Sequence, residues 1–136
     1  MLSLLTSNLF AQDINQDINT ITIKGITFDQ VVTHLTKSGY SIRKLDDRTK
    51  TVQTHYLKYQ SKSSSFHIAI FAHVRDSVAI FSGTMCYNIN NNRDGLPDSA
   101  RAFDIKYTHG LYKEAFLQLD NFVKSFNREM IYSRSD

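Results

Sequence analysis

Several residue types are scarce in this chain of 136 residues, and each scarcity excludes something. Tryptophan is absent, and the single cysteine, Cys86, excludes an internal disulfide. Its neighbours are apolar, which indicates a small buried strand residue rather than an intermolecular bridge or a reactive thiol. One proline and five glycines leave few forced breaks in regular structure. No run of about 18 apolar residues occurs, so the sequence predicts no transmembrane helix.

What remains is the composition of an ordinary globular domain. Hydrophobic residues make up 41% of the chain and charged residues 21%, as in most folded proteins. The length suffices for one domain with its own core. The net charge of +3 is too small to indicate nucleic-acid binding by itself.

The first residues, MLSLLTSNLFAQ, have the character of a processing signal. Their apolar side chains are Leu2, Leu4, Leu5, Leu9 and Phe10. Ala11 supplies the small residue that is typical of a cleavage site, although the positively charged start of such a signal is missing. The end, LFAQ, resembles the signal-peptide ends of exported Bacteroidota proteins. Cleavage near Ala11 implies a periplasmic or secreted chain with a flexible lead-in over 12–20; the other interpretation is an amphipathic segment packed on the domain.

Two stretches have the apolar spacing of amphipathic helices. In 27–38, Thr27 and Gln30 form a capping box, and Gly39 is the expected stop residue. His34 falls off the apolar face, which predicts that it lies in solvent. In 111–130 the apolar residues form a continuous stripe, which predicts a second helix lying across a sheet.

Between the helices the pattern changes to the alternation that is typical of strands. The predicted strands are 21–23, 40–45, 51–59, 66–74 and 78–87, with 102–107 as a further candidate edge strand. The order β-α-β-β-β-β-α predicts an α+β fold, an antiparallel meander sheet with two helices packed on one face. We expect a single domain over 21–131, a long loop over 88–110 and a polar tail over 132–136.

This order over residues 21–130 resembles the TATA-binding-protein-like α+β fold. Small exported Bacteroidota domains of unknown function look similar. The resemblance lies in topology, and a fold alone does not specify function, so it implies no functional residue.

The most apolar stretch is the hairpin over 66–87, and both of its faces are apolar. A three-residue turn centred on Asp76 pairs Val74 with Val78 and places the aliphatic side chains under the helices, whereas a two-residue turn exchanges the faces of one strand. With the three-residue turn, the second face is left without an obvious cover. The residues assigned to it as candidates are His55, Tyr59, His67, Phe71, His73, Phe81, Met85 and Tyr87.

An apolar sheet face without a cover usually marks a binding or assembly surface. We therefore predict a small exported, non-enzymatic domain that binds a protein partner or another copy of itself through these residues. The alternative is a small-ligand or catalytic pocket between the sheet and the 88–110 loop, formed by His55, His67, His73 and Tyr87. A third arrangement is that this loop or residues 12–20 cover the face.

Other groups of residues give weaker indications of a metal site or a catalytic site. His67 and His73 share a strand face roughly 20 Å apart, too far to hold one metal ion. Residues 90–95 have some of the spacing of a calcium loop, but Arg101 stands where that loop requires glutamate. No nucleophile elbow or phosphate-binding loop occurs. The sequence thus predicts no catalytic residue, metal or cofactor.

The segment 37–62 carries seven basic and two acidic residues. This excess is typical of a surface for polyanions such as acidic glycan or nucleic acid. We favour a simpler interpretation, a charged sheet edge that resists aggregation. Nucleic acid is not an expected partner.

Overall fold

The computed structural model describes residues 17–61, 65–87 and 102–135, which form eight strands and two helices. The strands are β1 (Thr20–Lys24), β2 (Ile42–Asp46), β3 (Thr51–Thr54), β4 (Leu57–Gln60), β5 (Ser65–Arg75), β6 (Val78–Cys86), β7 (Ala102–Asp104) and β8 (Ile131–Ser133). The helices are α1 (Phe28–Lys37) and α2 (Gly110–Lys124). All strands pair antiparallel in one open sheet, and both helices bury their apolar sides against it. The predicted α+β class is confirmed.

The sheet is centred on β5 and β6, its two longest strands. Each is flanked by two short strands lying end to end: β3 and β4 pair with β5, and β1 and β7 pair with β6. Beyond these, β2 pairs with β3 and β8 with β1. The apolar hairpin is therefore the structural centre of the domain.

The turn between β5 and β6 differs from the preferred prediction. Arg75 pairs with Val78, so only Asp76 and Ser77 form the loop. Both have positive φ angles, 52° and 62°, as a type I′ turn requires. The twist of this turn matches that of an antiparallel pair, which favours a two-residue loop. The predicted pairing of Val74 with Val78 is wrong.

This shorter loop exchanges the faces of β6. Phe81 and Met85, predicted on the uncovered face, are 0% exposed on the helix side. The Phe81 ring lies 5.8 Å from the ring of Phe122 and 5.7 Å from that of Phe126. The residues that β6 turns to the other face are Ile80, Ser82, Thr84 and Cys86. Side chains alternate along a strand, so one residue of loop length moves every one of them.

The third predicted strand is interrupted between β3 and β4, at His55 and Tyr56. The irregular backbone shifts the alternation, and Tyr59 comes to lie opposite Phe66 on the helix side. The two rings stack at 6.0 Å, and the Tyr59 hydroxyl lies 2.8 Å from that of Tyr40. The placement of Tyr59 on the uncovered face is therefore also wrong.

Helix α1 begins and ends as predicted. The Thr27 hydroxyl accepts a hydrogen bond from the Gln30 backbone at 3.1 Å, and the Gln30 side chain accepts one from the Thr27 backbone at 2.8 Å. This is the expected capping box. Gly39 follows the helix with φ +97°, a conformation that glycine adopts without strain.

Helix α2 ends at Lys124, before the predicted Met130. Asn127 has a φ of 58°, and this left-handed residue turns the chain out of the helix. The chain then forms β8, whose Tyr132 donates a 2.6 Å hydrogen bond to buried Asp120 of α2. Part of the predicted polar tail is thus a strand of the sheet.

The predicted lead-in also contributes to the fold from Ile18 onward. Ile18 is buried, and its backbone pairs with that of Tyr107. The predicted processing signal, residues 1–11, lies outside the described residues. Among the residues that the structure does describe, no helix has the length and apolar character that crossing a membrane requires.

Candidate binding face

We use the term open face for the sheet surface opposite the two helices. Paired residues of neighbouring strands point to the same side, so its side chains form rows across the strands. One row is Thr51, His73, Ile80, Thr22 and Ile131, and the next is Lys44, Gln53, Phe71 and Ser82. Two further rows are Ala69, Thr84 and Asp104, and Lys58, His67 and Cys86. Even at the centre of the sheet, Phe71 is 41% and Ile80 39% exposed.

Two adjoining grooves cross the open face. The first, of about 400 Å³, lies over β5 and β6, and its lining includes Ile80, Ser82, Thr84 and Asp104. The second, of about 550 Å³, lies over β2 and β3, and its lining includes Arg43, Lys44 and Thr51. Gln53 and Phe71 line both grooves, which makes the two continuous. An extended ligand lying across the strands therefore has one uninterrupted path.

Tyr56 bridges the open face at the interruption between β3 and β4. Its hydroxyl is hydrogen bonded to Thr84 on β6 at 2.8 Å, so its side chain crosses over β5. Burial raises the pKa of Tyr56, and the nearby positive charge of Arg43 acts in the opposite direction. The Tyr56 side chain is thus held by Thr84, whereas the Phe71 ring stays exposed.

His67 and Cys86 are cross-strand neighbours on the open face. Burial lowers the pKa of His67 below 6.5, and the Nδ1 atom of this ring is buried without a hydrogen-bond partner. Burial also raises the pKa of the Cys86 thiol to about 11. Near neutral pH both groups are uncharged, so they do not form the thiolate and imidazolium pair of a cysteine nucleophile. The prediction that Cys86 is buried is confirmed.

A positively charged corner adjoins Phe71. The register of β2 shifts between Ile42 and Lys44, an irregularity that inserts one extra residue, Arg43. Arg43 and Lys44 both line the groove that Phe71 shares. Lys58 is exposed farther away, on β4, where it lies opposite His67. In the part of the chain that the structure describes, none of these three cations is in an ion pair.

The eight predicted site residues do not all lie on one face of the sheet. Phe71, His67 and His73 lie on the open face, the two histidines at opposite parts of β5. His55 lies at the interruption before β4, where its backbone donates a hydrogen bond to Ser41. The Tyr87 ring contacts that of Phe103, which in turn contacts Tyr112 of α2, so Tyr87 lies at the helix side. Tyr59, Phe81 and Met85 are also on that side.

Sequence patterns did not indicate several residues of the open face. The alternation of β6 contains Ile80, Ser82 and Thr84, but which face they join depends on turn length. Asp76 and Ser77 lack the glycine that usually marks a type I′ turn. Nothing in the sequence indicates the irregularity at Arg43.

A second cleft lies on the helix side, between α1 and the end of α2. His34 was predicted in solvent, yet its ring lies 4.2 Å from that of Phe126, and its Nε2 contacts the Ser125 hydroxyl. This hydroxyl donates its proton to the backbone carbonyl of Phe122, so Nε2 must be the donor to Ser125. The ring therefore does not act as a base toward this serine. The prediction for His34 holds only in part: its ring is partly exposed, but the end of α2 packs against it.

Among residues 17–61, 65–87 and 102–135, no three His, Cys, Asp or Glu side chains cluster in a way that could hold a metal ion. No protein-family model matches the chain, and no curated protein is significantly similar to it.

Proposed function

We propose that this chain is a non-enzymatic domain that binds a partner through its open face. The observation that carries the proposal is the continuous path formed by the two grooves, in which an exposed ring lies among amide, hydroxyl and cationic groups. Binding sites typically combine an apolar floor with a few convergent polar groups. Phe71 and Ile80 supply the floor, and Gln53, Ser82 and Thr84 the polar groups.

The ionisable groups favour binding over the alternative of a catalytic or small-ligand pocket. That pocket requires His55, His67, His73 and Tyr87 to converge, whereas Tyr87 lies toward the helices and the two β5 histidines lie roughly 20 Å apart. The loop that was predicted to close it lies outside the described residues over 88–101. The buried Cys86 thiol stays protonated near neutral pH, so it supplies no thiolate nucleophile for such a pocket.

Mapping with small organic probes tests this proposal without knowledge of the ligand. Phenol, acetamide and isopropanol are titrated into labelled protein, and backbone amide shifts are followed by NMR. We expect the shifts to concentrate at Phe71, Ser82 and Thr84, and to decrease in the variant Phe71→Ala. Phe103→Ala, at an exposed aromatic residue outside both grooves, is the matched control. Shifts concentrated at His34 instead would contradict the proposal.

Self-association through the same face is the second candidate. Ile80 and Ile131 lie in one row with only Thr22 between them, and Phe71 lies in the adjacent row. Two such faces pack with their sheets about 10 Å apart when they form a sandwich. Light scattering across a concentration series tests it: we expect a two-chain mass that falls to one chain in Ile80→Ser. A one-chain mass at every concentration would reject it.

We further propose that the domain acts in the periplasm or outside the cell. The support is the apolar stretch over 2–10 followed by Ala11, together with the resemblance of LFAQ to exported Bacteroidota sequences. Expression of the chain from Met1, followed by N-terminal sequencing of the exported product, tests this. A mature chain beginning at Gln12 is expected, and a chain that keeps residues 1–11 inside the cell would contradict it.

A further inference from the structure

We propose that the open face binds an acidic glycan, a sugar polymer that carries carboxylate groups. A carboxylate lies at Arg43 and Lys44, and a sugar ring lies on Phe71. This inference rests on the proposed binding function of the open face and names the chemical class of its partner.

The positive corner supplies the first requirement, a site for an anion. Arg43 and Lys44 line one groove together, and no carboxylate of the described residues forms an ion pair with either. Asp46 also lines this groove, but its Oδ1 already accepts backbone hydrogen bonds from Arg48 at 3.0 Å and Thr49 at 3.2 Å. A guanidinium binds a carboxylate through two parallel hydrogen bonds, which favours carboxylates at Arg43.

Phe71 supplies the second requirement, a flat apolar surface beside the charge. Its side chain lines the groove that contains Arg43 and also the groove over β5 and β6. A pyranose ring has an apolar face of C–H groups and an edge of hydroxyls. Stacking that face on Phe71 buries apolar surface on both sides and directs the hydroxyls toward the neighbouring polar side chains.

Those polar side chains supply the third requirement and argue against a peptide. Gln53, Ser82 and Thr84 present amide and hydroxyl groups that both donate and accept, as sugar hydroxyls do. Asp104 adds a carboxylate acceptor at the far side. The backbone groups of the central strands are paired within the sheet, so an extended peptide on this face gains no main-chain ladder.

A single-stranded nucleic acid fits less well. Such a ligand carries a phosphate on every nucleotide and is usually held by several stacking platforms in a positive groove. Among the described aromatic residues of the open face, Phe71 is exposed while Tyr56 is tied to Thr84. One exposed ring suits a single stacked sugar better than a run of stacked bases.

Isothermal titration with trigalacturonate is the central experiment, with neutral cellotriose and a short oligothymidylate as comparisons. We expect trigalacturonate to bind with a dissociation constant below about 1 mM and to weaken with added salt. We expect cellotriose to bind at least about tenfold more weakly. Equal binding of cellotriose would overturn the role of the anion, and tighter binding of oligothymidylate would identify a nucleic-acid site instead.

Two sets of variants locate the site. Arg43→Gln with Lys44→Gln should weaken trigalacturonate binding at least about tenfold, because both cationic partners are removed. Lys106→Gln with Arg128→Gln removes the same charges from exposed positions outside both grooves and should leave binding unchanged. Phe71→Ala should weaken binding similarly, and Phe71→Tyr should restore it. If both double variants lose the same affinity for trigalacturonate, net charge alone explains the effect, and the site at Arg43 and Lys44 is rejected.

These titrations and the organic-probe mapping together test glycan binding separately from the general binding function of the open face. If none of the three ligands binds up to about 10 mM while organic probes still collect at Phe71, the glycan is rejected and the binding function stands. If the probes avoid the open face as well, both proposals fail.

Discussion

The helix side and the open face of this sheet are made by the same strands, yet they differ sharply. On the helix side, side chains such as Phe66, Phe81 and Met85 are buried against α1 and α2. On the open face, hydroxyls, amides and histidines surround Phe71 and Ile80, which are exposed. Both faces contain apolar residues, so apolar content does not distinguish them. The difference lies in what packs against each face, and strand register decides which residues take part.

The largest expected effect contrasts two phenylalanines on opposite faces of the central hairpin. Phe81→Ala removes a fully buried ring and should lower the free energy of unfolding by about 3–5 kcal/mol. Phe71→Ala removes a ring that is already partly in water and should cost at most about 1 kcal/mol. Urea unfolding followed by circular dichroism measures both.

This pair of variants is also a test of register. With the three-residue turn, Phe81 would share the open face with Phe71 and the two losses would be similar. Similar losses would therefore contradict the assignment of Phe81 to the core. Tyr87→Phe, at an exposed residue at the end of β6, should leave stability unchanged and serves as a control for aromatic substitution.

The next effect contrasts adjacent residues of β6 that point to opposite sides. A methyl group at Gly83 would lie 2.7 Å from the Ala69 carbonyl oxygen and 2.9 Å from Ile105 Cδ1. Gly83→Ala should therefore cost about 1–3 kcal/mol, because backbone and a buried side chain must both shift. Ser82→Ala, on the open face, should change stability by no more than about 0.5 kcal/mol. Thermal unfolding of the two variants checks the contrast, and a tolerated alanine at Gly83 would contradict it.

Local signals predicted the elements of this fold better than they predicted its faces. The capping box of Thr27 and Gln30 and the alternation of the hairpin depend on neighbouring residues, and both elements formed as expected. The face of Phe81 and Met85 depended on one residue of loop length, and that of Tyr59 on a break in its strand. A loop length or a strand break has no periodicity that a sequence pattern could reveal. The candidate site was therefore wrong at each residue whose face depends on strand register.

Strand β8 and the position of His34 were missed for a different reason. The residues after Lys124 continue the apolar spacing of α2, and Met130 is indeed buried, but it follows the helix rather than belonging to it. A stripe of this kind reports burial and not the conformation that achieves it. His34 is partly covered because α2 ends beside it, which is a tertiary contact that no local pattern encodes.

A smaller effect is expected at the turn between β5 and β6, which decides the face of each β6 residue. Ser77 has a φ of 62°, a conformation that costs a residue with a side chain more than it costs glycine. Ser77→Gly should therefore raise the free energy of unfolding by about 0.5–1 kcal/mol if the type I′ turn is correct. The matched change Ser82→Gly, in the middle of β6, should lower it instead. Destabilisation by both glycines in urea unfolding would contradict the two-residue turn.

The smallest expected effect concerns one histidine from each face. Burial is the main reason that the pKa of His67 and the pKa of His34 lie below 6.5 in the folded protein. Below pH 6.5 the unfolded chain binds these protons more readily than the folded one. Their contribution to stability is therefore complete above pH 6.5 and is lost as pH falls through the lower folded values.

Replacing each histidine by glutamine separates the two contributions. His67→Gln on the open face and His34→Gln on the helix side should each flatten the fall in unfolding free energy below pH 6.5, and the double variant should flatten it most. Both rings are partly exposed to water, which is why the effect should be small. Urea titrations at a series of pH values measure these slopes. A single variant whose unfolding free energy falls with pH as steeply as that of the wild type would contradict this. Burial of that histidine ring would then have no effect on stability.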